Sequence, residues 1–200
     1  GFVLVVVTNQ AGVALGMFQE AALRAVERRL QALVGDAGVA LAAMYWCPHH
    51  PAGSVGRYAI ECGCRKPQPG LLRRAARDLA IDLERSWMVG DILDDVEAGR
   101  RAGCRTVLLD NGHETEWRVS PLRLPHLLLP TLSRAAEAIV DASEMVDVYE
   151  DDRERARARV RQGDFLIEPG EECCLILEAR EPVAALRTGG ETREFGQGEH

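Results

Sequence analysis

Phe2 to Val7 is an unbroken apolar run in which every residue but Phe2 and Leu4 is valine. A strand with one wet face alternates apolar and polar residues. An unbroken run belongs to a strand covered on both faces, as in parallel sheets flanked by helices. The rest of the chain keeps that rhythm. Phe18 to Val34 follows helical spacing, with Leu23, Val26, Leu30 and Leu33 on one stripe. Val39 to Trp46 reads as a strand, and Gly70 to Ala80 as a helix burying Leu72, Ala75, Ala76 and Leu79. Trp87 to Val89 is a short strand, Asp94 to Ala102 a helix stopped by Gly103, Arg105 to Leu109 a strand, and Thr131 to Ala142 a last amphipathic helix. Strands alternating with helices predict an α/β fold, a Rossmann-like parallel sheet between helical layers.

The pattern divides the chain into three parts. Residues 1–142 form the α/β unit, 143–162 a charged linker or helix, and 163–200 a partial β-rich unit or tail with short apolar runs between Gly and Pro turns. That tail, with Gly163-Asp164 and Phe195-Gly196-Gln197-Gly198-Glu199, faintly resembles the start of a cyclic-nucleotide-binding β-barrel, and the alternative it offers is a non-catalytic binding or regulatory module on the α/β scaffold. The sequence opens at Gly1 directly into a strand, and the expectation is a fragment of a longer protein.

With 200 residues and 46% hydrophobic content, the chain can bury one substantial core. A net charge of -7 argues against a general nucleic-acid binder, which needs clustered cations. It leaves room for a small phosphorylated substrate, which needs only a few local cations. No apolar run is long enough to span a bilayer, and no basic segment precedes Phe2 as in a signal peptide. The expectation is a cytoplasmic monomer without membrane or nucleic-acid partners. In a reducing compartment, clustered cysteines favour metal ligation over disulfides.

Such a cluster exists. Cys47-Pro48-His49 and Cys62-Gly63-Cys64 are two ligand pairs separated by a polar loop rich in Gly and Pro. Thiolates and imidazole are preferred ligands of Zn²⁺, and Cys47, His49, Cys62 and Cys64 would complete a tetrahedral structural site. The loop has too little apolar content to hold itself by burial, and a metal would supply folding energy. His50 could replace His49, and Cys62 and Cys64 could be plain core thiols. Cys104, Cys173 and Cys174 have no partner at ligand spacing and read as buried thiols.

A second constellation gathers at predicted strand ends. In parallel α/β sheets, ligands bind at the carboxyl ends of the strands. Gly90-Asp91 sits at one such end, with Asp94 and Asp95 in the following turn. Asp91 is a natural Mg²⁺ ligand, and Asp95, one helical turn on, could orient the site from behind. An aspartate N-cap explains the same residues equally well. Thr8-Asn9 ends the first strand and could grip a phosphoryl oxygen, or be an ordinary polar turn. Arg65-Lys66-Pro67 follows the last cluster cysteine, so a metal clip would fix where the cations point.

Together these residues resemble the HAD superfamily of phosphatases. Thr8 matches its second motif, Lys66 its third, and Gly90, Asp91 and Asp95 its fourth. Val5-Val6-Val7-Thr8-Asn9-Gln10, Cys47-Pro48-His49-His50-Pro51 and Cys62-Gly63-Cys64-Arg65-Lys66-Pro67 look like hallmark strings of the subfamily of heptose bisphosphate and histidinol-phosphate phosphatases. The resemblance covers residues 1–142. It implies that Thr8 and Lys66 stabilise the phosphoryl group, with Asp91 and Asp95 completing the catalytic set. Asn9, Gln10 and Ala11 would line the pocket, and Arg65 would help recognise a phosphorylated sugar. Asp91 would bind Mg²⁺, and Cys47, His49, Cys62 and Cys64 would bind Zn²⁺. Two departures stand out. The family often has Lys after the metal-binding Asp, and here that residue is Ile92. The family also attacks phosphorus with an Asp-x-Asp at the tip of a central strand preceding the one that ends in Thr8. No Asp-x-Asp occurs in this sequence. The chain is therefore expected to be inactive by itself and poorly stable, with a central strand missing and its neighbours' edges unpaired.

Overall fold

The structure is a computed structural model that describes residues 2–146 and 173–179. Among these, six strands form one sheet: β1 Phe2–Asn9, β2 Leu41–Cys47, β3 Ser86–Gly90, β4 Arg105–Leu109, β5 Leu127–Leu129 and β6 Cys173–Ala179. Five α-helices accompany them: α1 Ala11–Ala14, α2 Leu23–Asp36, α3 Gly70–Leu79, α4 Leu93–Ala102 and α5 Leu132–Val146. The sheet order is β2-β1-β6-β3-β4-β5. The pairs β1–β2 and β3–β4 are parallel, as the apolar runs predict, and the short β5, which the sequence reading does not include, adds a third parallel pair with β4.

The centre of the sheet differs from expectation. β6 lies between β1 and β3 and runs antiparallel to both. The edges expected to be open are therefore both paired. Thr8 is opposite Cys173 and Phe2 opposite Ala179, while Ser86 to Val89 pair with Glu178 to Leu175. The physical reason lies in the sequence Leu175-Ile176-Leu177, an apolar run suited to a slot with strands on both sides. This part of the 163–200 segment thus belongs to the main sheet. The remaining expectations for residues 147–172 and 180–200, including the barrel-like motif, fall outside the described residues.

Side chains alternate between the two faces. Val5, Val7 and Met88 point one way and join Leu71, Leu72 and Ala75 of α3 and Ala98 of α4. Val6 points the other way, with Leu41 and Met44, and meets Val26, Leu30 and Val34 of α2. Trp87, Val89, Val107, Leu109 and Leu129 share that second face with Ala135 and Ile139 of α5. One expected position needs correcting and one buried residue is added. Leu33 is exposed and Val34 takes its place on the α2 stripe, while Leu71 joins the buried face of α3. α4 stops at Gly103, whose φ of 94° is a left-handed conformation that glycine adopts without strain.

Candidate active site

The parallel strands β1 and β3 end on the same edge of the sheet, at Asn9 and Gly90. Thr8, at the tip of β1, is fully buried, and Gln10 Nε2 donates to its hydroxyl at 2.9 Å. The next residue, Asn9, reaches into the loop that follows the cysteines. Its side chain accepts from Lys66 N at 3.0 Å and donates to Lys66 O at 3.2 Å. A β1 side chain thereby holds both main-chain polar groups of Lys66, which fixes where the lysine side chain starts. Ala11 opens the single turn of α1, and Gln10 N donates to Cys47 O at 2.8 Å, tying that turn to the end of β2.

Lys66 Nζ ends 2.8 Å from Asp95 Oδ1, with both side chains at 0% exposure. The other oxygen, Asp95 Oδ2, accepts from Asp91 N at 3.2 Å and Ile92 N at 3.3 Å. Asp95 is therefore the hub that joins the lysine to the β3–α4 turn. The turn itself is glycine-dependent, because a Cβ on Gly90 would sit 2.4 Å from Asp95 Cβ. α4 begins at Leu93, so neither Asp91 nor Asp94 is its N-cap. Asp94 instead pairs with Arg123 at 2.6 Å, and Arg123 also reaches Glu97 at 2.7 Å. Burial pushes the Asp94 carboxyl up, against the pull of Arg123.

The side chain of Asp91 has a different partner. Its Oδ2 accepts from His113 Nδ1, and its Oδ1 is buried with no hydrogen-bond partner among the described residues. Arg65 resembles it in one respect: its Nη1 is buried and lacks a partner among the described residues. His113 and its neighbour Glu114, whose carboxylate accepts from Leu93 N at 2.6 Å, belong to none of the motifs in the sequence. The available signal was the polar Asn111-Gly112-His113-Glu114 run directly after a predicted strand, on the edge where ligands bind. Another signal was also present. Lys66 is the only lysine in a chain with 23 arginines.

The second cluster lies in the same loop. Cys47 Sγ is 3.2 Å from Cys64 Sγ and 3.5 Å from Cys62 Sγ, and Cys62 and Cys64 are 3.2 Å apart. His49 Nδ1 lies 3.6 Å from Cys47 Sγ and 3.3 Å from Cys64 Sγ. All four donor atoms fall within 4.8 Å of one another. A tetrahedral Zn²⁺ with bonds of about 2.3 Å separates its sulfurs by roughly 3.8 Å, so small outward shifts would admit the ion. His50 is turned away, its Nδ1 accepting from Ala52 N at 3.2 Å. Hydrogen bonding from Cys47 pulls Cys64 down to about 5, aided by Cys62 and His49, while Cys47 is pushed up by the same contact and by burial. Cys104 lies apart in the core, where burial raises it to about 12 and leaves it an inert thiol. Glu20 braces the loop from outside, accepting from Tyr58 Oη at 2.6 Å and Trp46 Nε1 at 2.9 Å.

Residues 63–135, which span Lys66, the β3–α4 turn and His113, match the family described as HAD-hydrolase-like. Over these residues the chain is similar to the HAD-like hydrolases. Over 109 residues the chain is 45% identical to the D-glycero-beta-D-manno-heptose-1,7-bisphosphate 7-phosphatase of Yersinia pestis, covering 54% of this chain and 58% of the relative. It is 46% identical to the protein of the same name from Escherichia coli K12, covering 54% and 57%. It thus spans less than two thirds of the length of these relatives. A solved HAD-like protein from Mesorhizobium loti is 40% identical, with a TM-score of 0.58 and coverage of 71% of this chain and 66% of that one.

Proposed function

We propose that this chain supplies the phosphate- and magnesium-binding body of a phosphatase acting on D-glycero-D-manno-heptose 1,7-bisphosphate. The reaction removes the 7-phosphate, on the way to nucleotide-activated heptose for surface glycans. The observation that carries this reading is the buried Lys66–Asp95 pair joining the tips of β1 and β3. Burial keeps the lysine position fixed, and a fixed cation stabilises charge developing on a transferred phosphoryl group without reorganising. The names of the relatives supply the substrate.

In this reading Thr8, at the tip of β1, hydrogen-bonds a phosphoryl oxygen. Asn9 sets the position of Lys66, Gln10 orients the Thr8 hydroxyl, and Ala11 presents backbone at the pocket wall. Arg65 binds the sugar phosphate that stays. The buried Oδ1 of Asp91 fits a hard cation such as Mg²⁺, which would offset charge on the phosphoryl oxygens. Cys47, His49, Cys62 and Cys64 fit Zn²⁺ by donor type and spacing, with a structural role. The attacking Asp-x-Asp is not among the residues of this chain. The reading carries with it a monomeric enzyme of the cytoplasm. Among the described residues no helix is long and apolar enough to cross a membrane.

The test is complementation. The chain is assayed alone and, with β6 removed so that the slot between β1 and β3 is open, joined to the N-terminal strand segment of the Escherichia coli relative, with heptose 1,7-bisphosphate and histidinol phosphate as substrates. Phosphate release is expected from the joined protein only, with heptose bisphosphate preferred, and it should vanish in Lys66→Met. A joined protein that is folded but inert, or that prefers histidinol phosphate, would overturn the reading.

A further inference from the structure

Asp91 has two carboxylate oxygens in very different situations. Oδ2 accepts from His113 Nδ1, and Oδ1 is buried with no partner among the described residues. Its backbone is already fixed, since Asp91 N donates to Asp95 Oδ2. What remains free is rotation of the carboxylate, and the bond to His113 sets it. The loop that carries His113 is itself anchored on both sides of the ring. Asn111 Oδ1 accepts from His113 N at 3.3 Å, Gly112 turns the chain with a φ of 87°, and Glu114 accepts from Leu93 N at 2.6 Å. The last contact places a carboxylate against the first turn of α4, where unpaired N–H groups favour negative charge.

We propose that His113 is a positioning residue for the metal carboxylate, turning Asp91 so that Oδ1 faces a divalent cation and Oδ2 does not. This rests on the phosphatase reading insofar as that reading puts the cation on Asp91. A carboxylate held by one oxygen offers a cation a single, pre-aimed donor. Without that hold, the group would rotate and lose part of its affinity. Outer partners of this kind typically change metal affinity about 10–100-fold when removed.

The experiment measures Mn²⁺ binding to the full chain by electron paramagnetic resonance, with saturating Zn²⁺ present to fill the cysteine cluster. His113→Ala should bind Mn²⁺ at least about tenfold more weakly. His113→Asn, whose side-chain N–H lies where Nδ1–H lies, should recover most of that loss. Glu114→Ala unpins the loop without touching Asp91 and should cost clearly less than His113→Ala. Circular dichroism checks that all variants are folded. Equal losses in His113→Ala and Glu114→Ala, or no recovery in His113→Asn, would show that His113 only pins the loop. Unchanged binding in His113→Ala beside lost binding in Asp91→Asn would overturn the proposal alone. Unchanged binding in Asp91→Asn would remove the cation from Asp91, and with it both the proposal and the metal part of the phosphatase reading.

Discussion

Lys66 Nζ and Asp95 Oδ1 are 2.8 Å apart, and neither side chain is exposed to solvent at all. An ion pair so placed is costly to form, because both charges leave water, but costlier to break. Removing one partner strands the other charge and typically destabilises by about 3–5 kcal/mol. Lys66→Met should therefore lower the melting temperature by on the order of 10 °C. Lys66→Arg should fare little better, since a planar forked guanidinium does not fit a slot shaped for a compact ammonium. Replacing both partners, as in Lys66→Met with Asp95→Leu, should recover part of the loss. Thermal melts of the set decide the point, and a Lys66→Met melt unchanged from the parent would refute it.

Glycine substitutions test the same turn from the backbone side. A Cβ at Gly90 would lie 2.4 Å from both Asp95 Cβ and Asp95 Oδ2, and Asp95 is held by Lys66 and two backbone N–H groups. Gly90→Ala should cost about 1–3 kcal/mol, as overpacking does in a site that cannot give. Gly35 in α2 has nothing within 4 Å of its added Cβ. Gly35→Ala should stabilise by about 0.4–1 kcal/mol through the unfolded chain. Urea denaturation of both variants should give opposite signs, and matching signs would show that local packing does not decide these positions.

Much of this arrangement is legible in the sequence, for physical reasons that differ by residue. The Phe2 to Val7 run names a doubly covered strand, and Cys47, His49, Cys62 and Cys64 lie together as their paired spacing suggests. Leu127-Leu128-Leu129, between Pro125 and Pro130, is too short a run to announce β5. β6 escaped for another reason. Its apolar core reads as a strand, but which slot a distant strand enters, and in which direction, is set by pairing and not by local pattern. His113 shows the same limit on a smaller scale, since nothing local links it to Asp91, which lies on another strand's tip.

His126 makes stability depend on pH in a defined window. Its Nδ1 faces Thr106 N at 2.9 Å, a contact that requires an unprotonated acceptor. Burial lowers its pKa below the ordinary 6.5, and the charges of Arg100 and Arg105 add to that. A histidine depressed in the folded state is neutral there while the unfolded chain protonates. Its contribution is therefore full above the unfolded value and is lost as pH falls from about 6.5 toward the folded value. His126→Gln, which keeps an acceptor but does not titrate, should flatten stability over that interval. Denaturation at a series of pH values between about 5 and 8 measures the slope. An unchanged slope in the variant would assign it to other groups.

The cysteine cluster gives a test that separates its four ligands from their neighbours. Three thiols and an imidazole within 4.8 Å stand in a loop with little apolar content, so the metal would supply much of its folding energy. The purified chain should carry about one zinc, as in closed four-ligand sites, and His50→Ala should keep it because His50 Nδ1 is engaged with Ala52 N. Cys62→Ser and Cys64→Ser should lose the metal. Chelation should also reach beyond the loop, since Cys64 lies two residues before Lys66 and Cys47 directly follows Trp46. Trp46 Nε1 donates to Glu20 Oε1, so loosening the loop should alter tryptophan fluorescence and lower the melting temperature together. Zinc content by atomic emission and melts with and without a strong chelator measure both. A His50→Ala protein without zinc would move the fourth ligand, and a metal-free chain with an unchanged melt would remove the structural role.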